Sequence, residues 1–322
     1  MRALITGMGG FVAHHLALEL LAHGHEPWGT DVHGGTRQAL ASHSILRADL
    51  RRLDELRAVF DVAQPDVVFH LGAQSSPQRS WEMPRETLEI NVSGTRHVVE
   101  CAGALERPAR VIVASSADVY GRPPSSAMPL GEDQPPAPET PYAVSKLAAE
   151  HLARVYGQRL GVPVVVVRPF TQVGPGQLMH FAASYFAHEI ARVEAGLGDV
   201  LRHGDLDAAR DFTDVRDAAR AYRLLAETDA AEGTFNLCSG RSRLVGDLLE
   251  MLLGMATVPV ACELDPRRQR SEHCREFRGD ATRLHEATGW TPRIPLEQSL
   301  RDLLEEHREY FRLQAAAAQP GE

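Results

Sequence analysis

The chain has 322 residues, 43% hydrophobic and 24% charged, with a formal net charge of −9. That length suits one large domain or two interlocked ones, and no apolar run approaches the ~20 residues needed to cross a bilayer, so no membrane partner is expected. The acidic balance gives a nucleic-acid partner no electrostatic support, although local arginines can still hold a diphosphate.

The elements alternate from the start. Arg2 to Thr6 reads as a compact apolar strand, and Phe11 to Ala22 as a helix on the spacing of Phe11, Val12, Leu16 and Leu20. Glu26 to Thr30 follows as a strand, Leu53 to Val62 as a helix and Asp66 to Leu71 as a buried strand. A helix around Thr87 to Ala104, a strand from Arg110 to Ser115 and a Pro-rich surface loop from Pro123 to Pro141 come next. The helix Pro141 to Leu160 leads into the strand Val162 to Arg168. Buried strands separated by helices predict an α/β fold, a Rossmann-type doubly wound parallel sheet. After Pro169 the pattern is less regular, with helices near Met179–Ala195, Val215–Glu227 and Leu244–Met255. The expected division is a dinucleotide domain over 1–168, whose sheet later segments can complete, a smaller α/β substrate domain over 169–314, and a frayed Ala-rich tail over 315–322.

The chain runs directly into Arg2-Ala3-Leu4-Ile5, so no signal peptide is expected. Cys101, Cys238, Cys262 and Cys274 show no CxxC spacing. Reduced thiols and a cytoplasmic location follow as expectations.

Thr6-Gly7-Met8-Gly9-Gly10-Phe11-Val12-Ala13 sits where a strand ends and a helix begins. Gly7 permits the turn, and Gly10, Phe11 and Val12 open a helix whose N-terminus can receive a pyrophosphate. Asp31 ends the second strand, where a carboxylate accepts hydrogen bonds from ribose hydroxyls and repels a 2′-phosphate. Arg37 is the nearest arginine after it. NAD(H) is therefore the expected cofactor, with NADP disfavoured. Tyr142-Ala143-Val144-Ser145-Lys146 places a phenol and an ammonium one helical turn apart. A neighbouring cation is what makes a tyrosine a useful acid near neutral pH.

These motifs, with Ser115-Ser116-Ala117-Asp118-Val119-Tyr120-Gly121 at a strand end between them, resemble the extended short-chain dehydrogenase/reductases from Met1 to about Phe311. The resemblance implies that Tyr142 and Lys146 are catalytic and also touch the cofactor, and that Ser116 bonds the reacting C4 oxygen. It implies cofactor contacts from Asp49 and Leu50 at the adenine, Leu71, Gly72 and Ala73 in His70–Ser76, and Pro169 over the nicotinamide. Asn91 resembles a structural asparagine of the family. The segments Arg168–Gln177, Gly204–Asp217, Asn236–Gly240 and Thr288–Pro292 are similar to the GDP-mannose dehydratase and GDP-4-keto-6-deoxymannose reductase branch. By that similarity Ser75, Thr171, Arg210 and Arg270 are substrate contacts, the arginines suiting phosphate oxygens.

A dehydratase of this kind carries an Asp or Ser, then a Glu, after the active-site hydroxyl, to remove the C5 proton and protonate the leaving group. Here Ala117 and Asp118 stand there. Alanine transfers no proton, so the expected reaction is reduction of a sugar C4 ketone, with Tyr142 supplying the proton, Ser116 orienting the oxygen, Lys146 tuning the phenol and Asp118 a further catalytic candidate. An NAD-retaining C4 epimerase uses the same Tyr142, Lys146 and Ser116 and is the alternative; a 4,6-dehydratase ranks below it. Thr171 in place of an asparagine, His273 at an acidic position and Asp31 itself depart from the reductase pattern. A dinucleotide sensor would be expected to lack Tyr142 or Lys146. His188-Glu189 has Arg192 and no histidine at the next turn, so no metal is expected. The family resemblance also implies a homodimer.

Overall fold

The structure, a computed structural model, describes residues 1–33, 45–229, 232–268 and 276–318. The chain opens with β1 (Arg2–Thr6), α1 (Phe11–Ala22), β2 (Glu26–Asp31), β3 (Ile45–Arg47), α2 (Leu53–Ala63) and β4 (Val67–His70). It continues through α3 (Pro77–Glu82), α4 (Pro84–Leu88), α5 (Gly94–Ala104), β5 (Arg110–Ala114), α6 (Pro141–Leu160) and β6 (Val164–Pro169). β1, β4, β5 and β6 are buried on both faces. Leu4, Val68, Val111 and Val113 pack under α2, α5 and α6. Ala3, Ile5, Phe69 and Ile112 pack under α1. Burial of both faces is why the strands read as continuous apolar runs.

The chain then forms β7 (Thr171–Val173), α7 (Ala182–Glu194), β8 (Val200–His203), β9 (Ala209–Asp214), α8 (Val215–Glu227) and β10 (Gly233–Leu237). β10 returns to the large sheet, parallel to β6 with Phe235 opposite Val167. It completes seven parallel strands in the order β10-β6-β5-β4-β1-β2-β3. α8 lies beside α1 over the same face, where Tyr222 meets Phe69 edge-on. The sheet therefore extends well past residue 168, and the segment 169–314 is shared between two lobes. The chain finishes with β11 (Ser242–Leu244), α9 (Val245–Gly254), β12 (Ala261–Leu264), β13 (Glu276–Phe277), α10 (Thr282–Thr288) and α11 (Leu296–Ala318). In the smaller lobe β9 pairs with β11, β13 and β7. Phe186, Ile190, Leu248, Leu252, Leu300 and Leu304 form its core.

Local structure departs from the sequence reading in four places. The helix expected over Thr87–Ala104 is interrupted by a π-turn, Glu89–Ser93, that carries Asn91 inward. The Pro-rich loop is not wholly a surface feature, because Leu130 is fully buried against Phe170 and Cys238. α7 starts at Ala182, three residues later than expected. Residues 315–318, expected to fray, continue α11. Among the described residues no helix is long and apolar enough to cross a membrane.

Candidate active site

The strand order reverses between β1 and β4, which opens a crevice at the carboxyl ends of the strands. A cavity of about 500 Å³ occupies it. Its floor begins with the glycine turn. Gly7 has φ +70°, and a Cβ there would lie 2.7 Å from Gly72 Cα, so the turns after β1 and β4 meet backbone to backbone. Gly7, Gly10, Phe11 and Val12 line the cavity with the N-terminus of α1, which carries no acidic residue in its first turn. That cradle fits a dinucleotide pyrophosphate on both geometry and dipole. Asp31 lines the same end and accepts from the Gly9 and His33 amides, each at 3.1 Å. Arg37 lies outside the described residues.

A buried polar relay fixes the wall formed by Leu71, Gly72 and Ala73. The Gly72 amide donates to Thr6 Oγ1 at 3.0 Å, and Thr6 Oγ1 pairs with His70 Nδ1 at 2.8 Å. His70 Nε2 pairs with Thr95 Oγ1 at 2.9 Å, and that hydroxyl donates to the Asn91 carbonyl at 2.6 Å. Only a neutral His70 protonated on Nε2 satisfies the whole relay. Burial, helped by the nearby Lys146 charge, accordingly pushes its pKa down to about 3. Asn91 then ties two segments together: it accepts from the Gln74 amide at 2.8 Å and donates to Gln74 O and to Ser145 Oγ.

Thr140 caps α6 by accepting from the Ala143 amide at 3.0 Å, and Pro141 sits at the first helical position, where a missing N–H costs nothing. This start sets Tyr142 and Lys146 on the face toward β5. Ser116, Asp118, Tyr142 and Lys146 line one stretch of the cavity. Burial raises the Tyr142 pKa above the ordinary phenol range, the Asp118 charge adds to this, and a hydrogen bond with Ser116 opposes it. Lys146 donates to the Ala114 carbonyl at 2.7 Å, and burial lowers its pKa to about 8 against the opposing Glu150 charge. The expected lowering of the Tyr142 pKa by Lys146 is not what governs here: burial sets the direction of the shift.

Behind this pair, Glu150 is fully buried and takes two bonds from Arg168, at 2.9 and 2.7 Å. Arg168 continues to the Tyr120 hydroxyl, which donates to Asn236 on β10 at 2.7 Å. Sequence reading missed this network, and an arginine before Pro169 in an apolar strand was its one visible signal.

Pro169, Thr171, Ser75 and Arg210 also line the cavity. Arg210 lies on β9 and donates to the Ala209 carbonyl at 2.8 Å. Arg270 and His273 lie outside the described residues. Asp49 and Leu50 do not reach the cavity wall. The Asp49 carboxylate is drawn to Arg51 at 2.6 Å, which lowers its pKa, and Leu50 is buried with its carbonyl on His97 Nδ1 at 2.8 Å. Cavity residues for which the sequence reading gave no individual role include Pro77, Phe170, Gln172, Gln177, His180, Phe181 and Phe277. Among the described residues no group of His, Cys, Asp and Glu is placed to hold a metal.

A glycine cradle, an acidic second-strand end and a Ser–Tyr–Lys set on a doubly wound sheet define an extended short-chain dehydrogenase/reductase. The family model for GDP-mannose 4,6 dehydratase matches residues 4–303, and the chain belongs to that family. It is 38% identical to GDP-6-deoxy-D-mannose reductase of Pseudomonas aeruginosa, over 94% of this chain and 96% of the relative. It is 30% identical to UDP-glucose 4-epimerase of Mycolicibacterium smegmatis, over 95% and 98%. Among solved structures, RMD from Pseudomonas aeruginosa complexed with NADPH is similar at a TM-score of 0.85 and 36% identity, covering 96% of this chain and all of that one. The Thermus thermophilus UDP-glucose 4-epimerase complex with NAD also reaches 0.85, at 28% identity, covering 96% of this chain and 99% of that one.

Proposed function

We propose that the chain reduces the C4 ketone of GDP-4-keto-6-deoxy-D-mannose to GDP-6-deoxy-mannose, with NADH as reductant. The observation that carries this reading is that Ser116, the buried Tyr142 and Lys146 line the same cavity as a dinucleotide cradle. Ser116 orients the C4 oxygen, and Tyr142 gives its proton to the forming alkoxide. Lys146 holds the adjoining ribose and supplies the positive charge that stabilises the phenolate left behind. The bound coenzyme supplies the hydride. Full-length similarity to a GDP-6-deoxy-D-mannose reductase supports the sugar and the base.

NADH is favoured over NADPH because the Asp31 carboxylate, held by two amides, suits a free 2′-hydroxyl and repels a phosphate. Gly7, Gly10, Phe11, Val12, Asp31, Leu71, Gly72, Ala73 and Pro169 are the proposed coenzyme contacts. Ser75, Ser116, Thr171 and Arg210 are those for the nucleotide sugar. Residues 169–314 supply most of the substrate lobe while lending α8 and β10 to the coenzyme lobe. Val144 and Val155, exposed three turns apart on α6, support a homodimer through α5 and α6. The free thiols of Cys101, Cys238 and Cys262 support a cytoplasmic location.

The acidic Asp31 and the epimerase relatives favour one second reading, an NAD-retaining C4 epimerase. Purified protein offered the 4-keto sugar and NADH separates the two. Stoichiometric NADH oxidation is expected. Tightly retained NAD⁺ with no NADH oxidation refutes the reductase. Tyr142→Phe is expected to abolish turnover and leave coenzyme binding within a few-fold, and an active variant refutes the assignment of the proton donor.

A further inference from the structure

We infer that Glu150 is a positioning residue, which through Ser115 and Arg168 sets the spacing of Ser116, Tyr142 and Lys146 around the reacting carbon. The inference rests on the reading of those three as the catalytic set. Tyr142, Lys146 and Glu150 follow one another at four-residue intervals on one face of α6. Glu150 is fully buried and does not line the cavity, so it bears on the reaction only through its neighbours. Its carboxylate holds the ends of two strands. Oε1 accepts from the Ser115 hydroxyl, just after β5, and from Arg168 Nε at 2.9 Å, and Oε2 accepts from Arg168 Nη2 at 2.7 Å. Arg154, one turn further along α6, stands 3.6 Å from Oε2.

These bonds bracket Ser116. The residue before it, Ser115, is tied to Glu150. The short turn after it, Ala117–Tyr120, ends on a tyrosine whose hydroxyl accepts from Arg168 Nη1 at 3.1 Å. Lys146 donates to the carbonyl of Ala114, the residue before Ser115. α6 is therefore joined to the end of β5 at two successive residues, and the distance from Tyr142 to Ser116 follows from those two ties. A buried ion pair adds little net stability over apolar side chains of the same volume, because desolvating two charges offsets their attraction. What it adds is direction, since the guanidinium fork holds a carboxylate in one geometry. Reaction rates respond to that: a misplacement of ~1 Å can cost on the order of 100-fold. The Glu150 charge also reaches Lys146, where it opposes the lowering of the pKa by burial.

Ser115→Ala cuts the tie between Glu150 and β5 and leaves both arginine bonds in place. It is expected to lower kcat at least tenfold, with KM for the sugar nucleotide and Kd for NADH within about threefold of wild type. Ser115→Thr keeps the hydroxyl and is expected to return kcat to within about threefold. Glu150→Met combined with Arg168→Met separates placement from stability. It is expected to melt above Glu150→Gln and still to lose at least tenfold in kcat, with the alkaline limb of kcat/KM moved to lower pH. A kcat within twofold of wild type in Ser115→Ala overturns the inference. So does a loss in that variant that falls on KM or Kd alone, which would make Ser115 a ligand contact, and so does a methionine pair that keeps both the wild-type kcat and its limb. If the methionine pair fails to fold by circular dichroism, the Ser115 variants decide alone. An NAD-retaining epimerase uses the same set, and the same variants are then read in its turnover. If wild type shows neither activity, the catalytic reading fails separately, and the clamp is read from amide exchange. The Asp118 amide donates to Ser116 Oγ at 3.1 Å, so Ser115→Ala is expected to speed exchange over residues 116–121 at least tenfold. Unchanged exchange overturns the clamp.

Discussion

Replacing His70 with glutamine tests the relay that shapes the coenzyme wall. In the native protein His70 is neutral, with a pKa of about 3 against the ordinary 6.5. The unfolded chain therefore takes up a proton at this site as pH falls through 6.5, and the folded chain does not until pH 3. Stability is fully present above pH 6.5 and declines below it, by up to about 1.4 kcal/mol per pH unit. Between pH 7 and pH 4.5 this one group removes on the order of 2.5 kcal/mol. His70→Gln cannot keep both Thr6 and Thr95 satisfied, so at pH 7 it is expected to lose about 1–3 kcal/mol. It does not titrate, however, so its deficit against wild type narrows by the same ~2.5 kcal/mol at pH 4.5. Urea unfolding midpoints of both proteins across that range measure the difference, and titrations elsewhere in the chain cancel. A deficit that stays constant with pH refutes the neutral, buried histidine and with it the Thr6–His70–Thr95 relay.

Asp31→Ser is expected to raise the kcat/KM ratio of NADPH to NADH at least tenfold, and an unchanged ratio dismisses Asp31 as the coenzyme selector. Lys146 is charged below its pKa of about 8 and neutral above it, so kcat/KM is expected to fall tenfold per pH unit beyond that point. In Lys146→Arg the guanidinium stays charged, and a limb that persists unmoved in that variant belongs to another group. Glu150→Gln strands the Arg168 guanidinium, 5% exposed, without its carboxylate and is expected to cost about 3–5 kcal/mol. Calorimetry should show a melting point lower by roughly 6 °C or more, and Glu150→Met combined with Arg168→Met should regain much of that loss.

The coenzyme lobe was legible because its signals are local. Apolar strands, a glycine turn with its helix and a Tyr–Lys pair one turn apart are all written within a few residues. β9 shows the opposite case. Ala209–Asp214 holds an arginine and two aspartates and has no apolar period, yet it is the central strand of the small lobe. Tertiary bonding makes it one. Asp211 is 1% exposed and accepts from the Ser239 amide and hydroxyl and from the Gly240 and Gly279 amides. Burial still raises its pKa despite them. Donors 28 to 68 residues away leave no mark on a sequence window. The same holds for the Glu150–Arg168–Tyr120 network. At Asp49 the structure adds a local partner that the motif does not show: Arg51, two residues on, pairs with the carboxylate expected at the adenine.

Position 117 links the packing to the choice of reaction. Ala117 is 2% exposed and packs in an apolar cluster with Val119, Tyr120, Leu130, Phe170 and Cys238. An acid or hydroxyl there would be placed against that cluster, with a burial cost of a few kcal/mol unless a partner were also supplied. The cluster is anchored by Leu130, whose amide and carbonyl pair with Arg278 O and the Asp280 amide across the two lobes. Ala117 also lines the cavity beside Ser116 and Asp118, and its methyl group transfers no proton, so the dehydratase acid is missing at this position. Reduction and epimerisation at C4 need nothing from that position. Both use Tyr142, Ser116 and Lys146, so the fate of the coenzyme, oxidised once per turnover or retained, separates them.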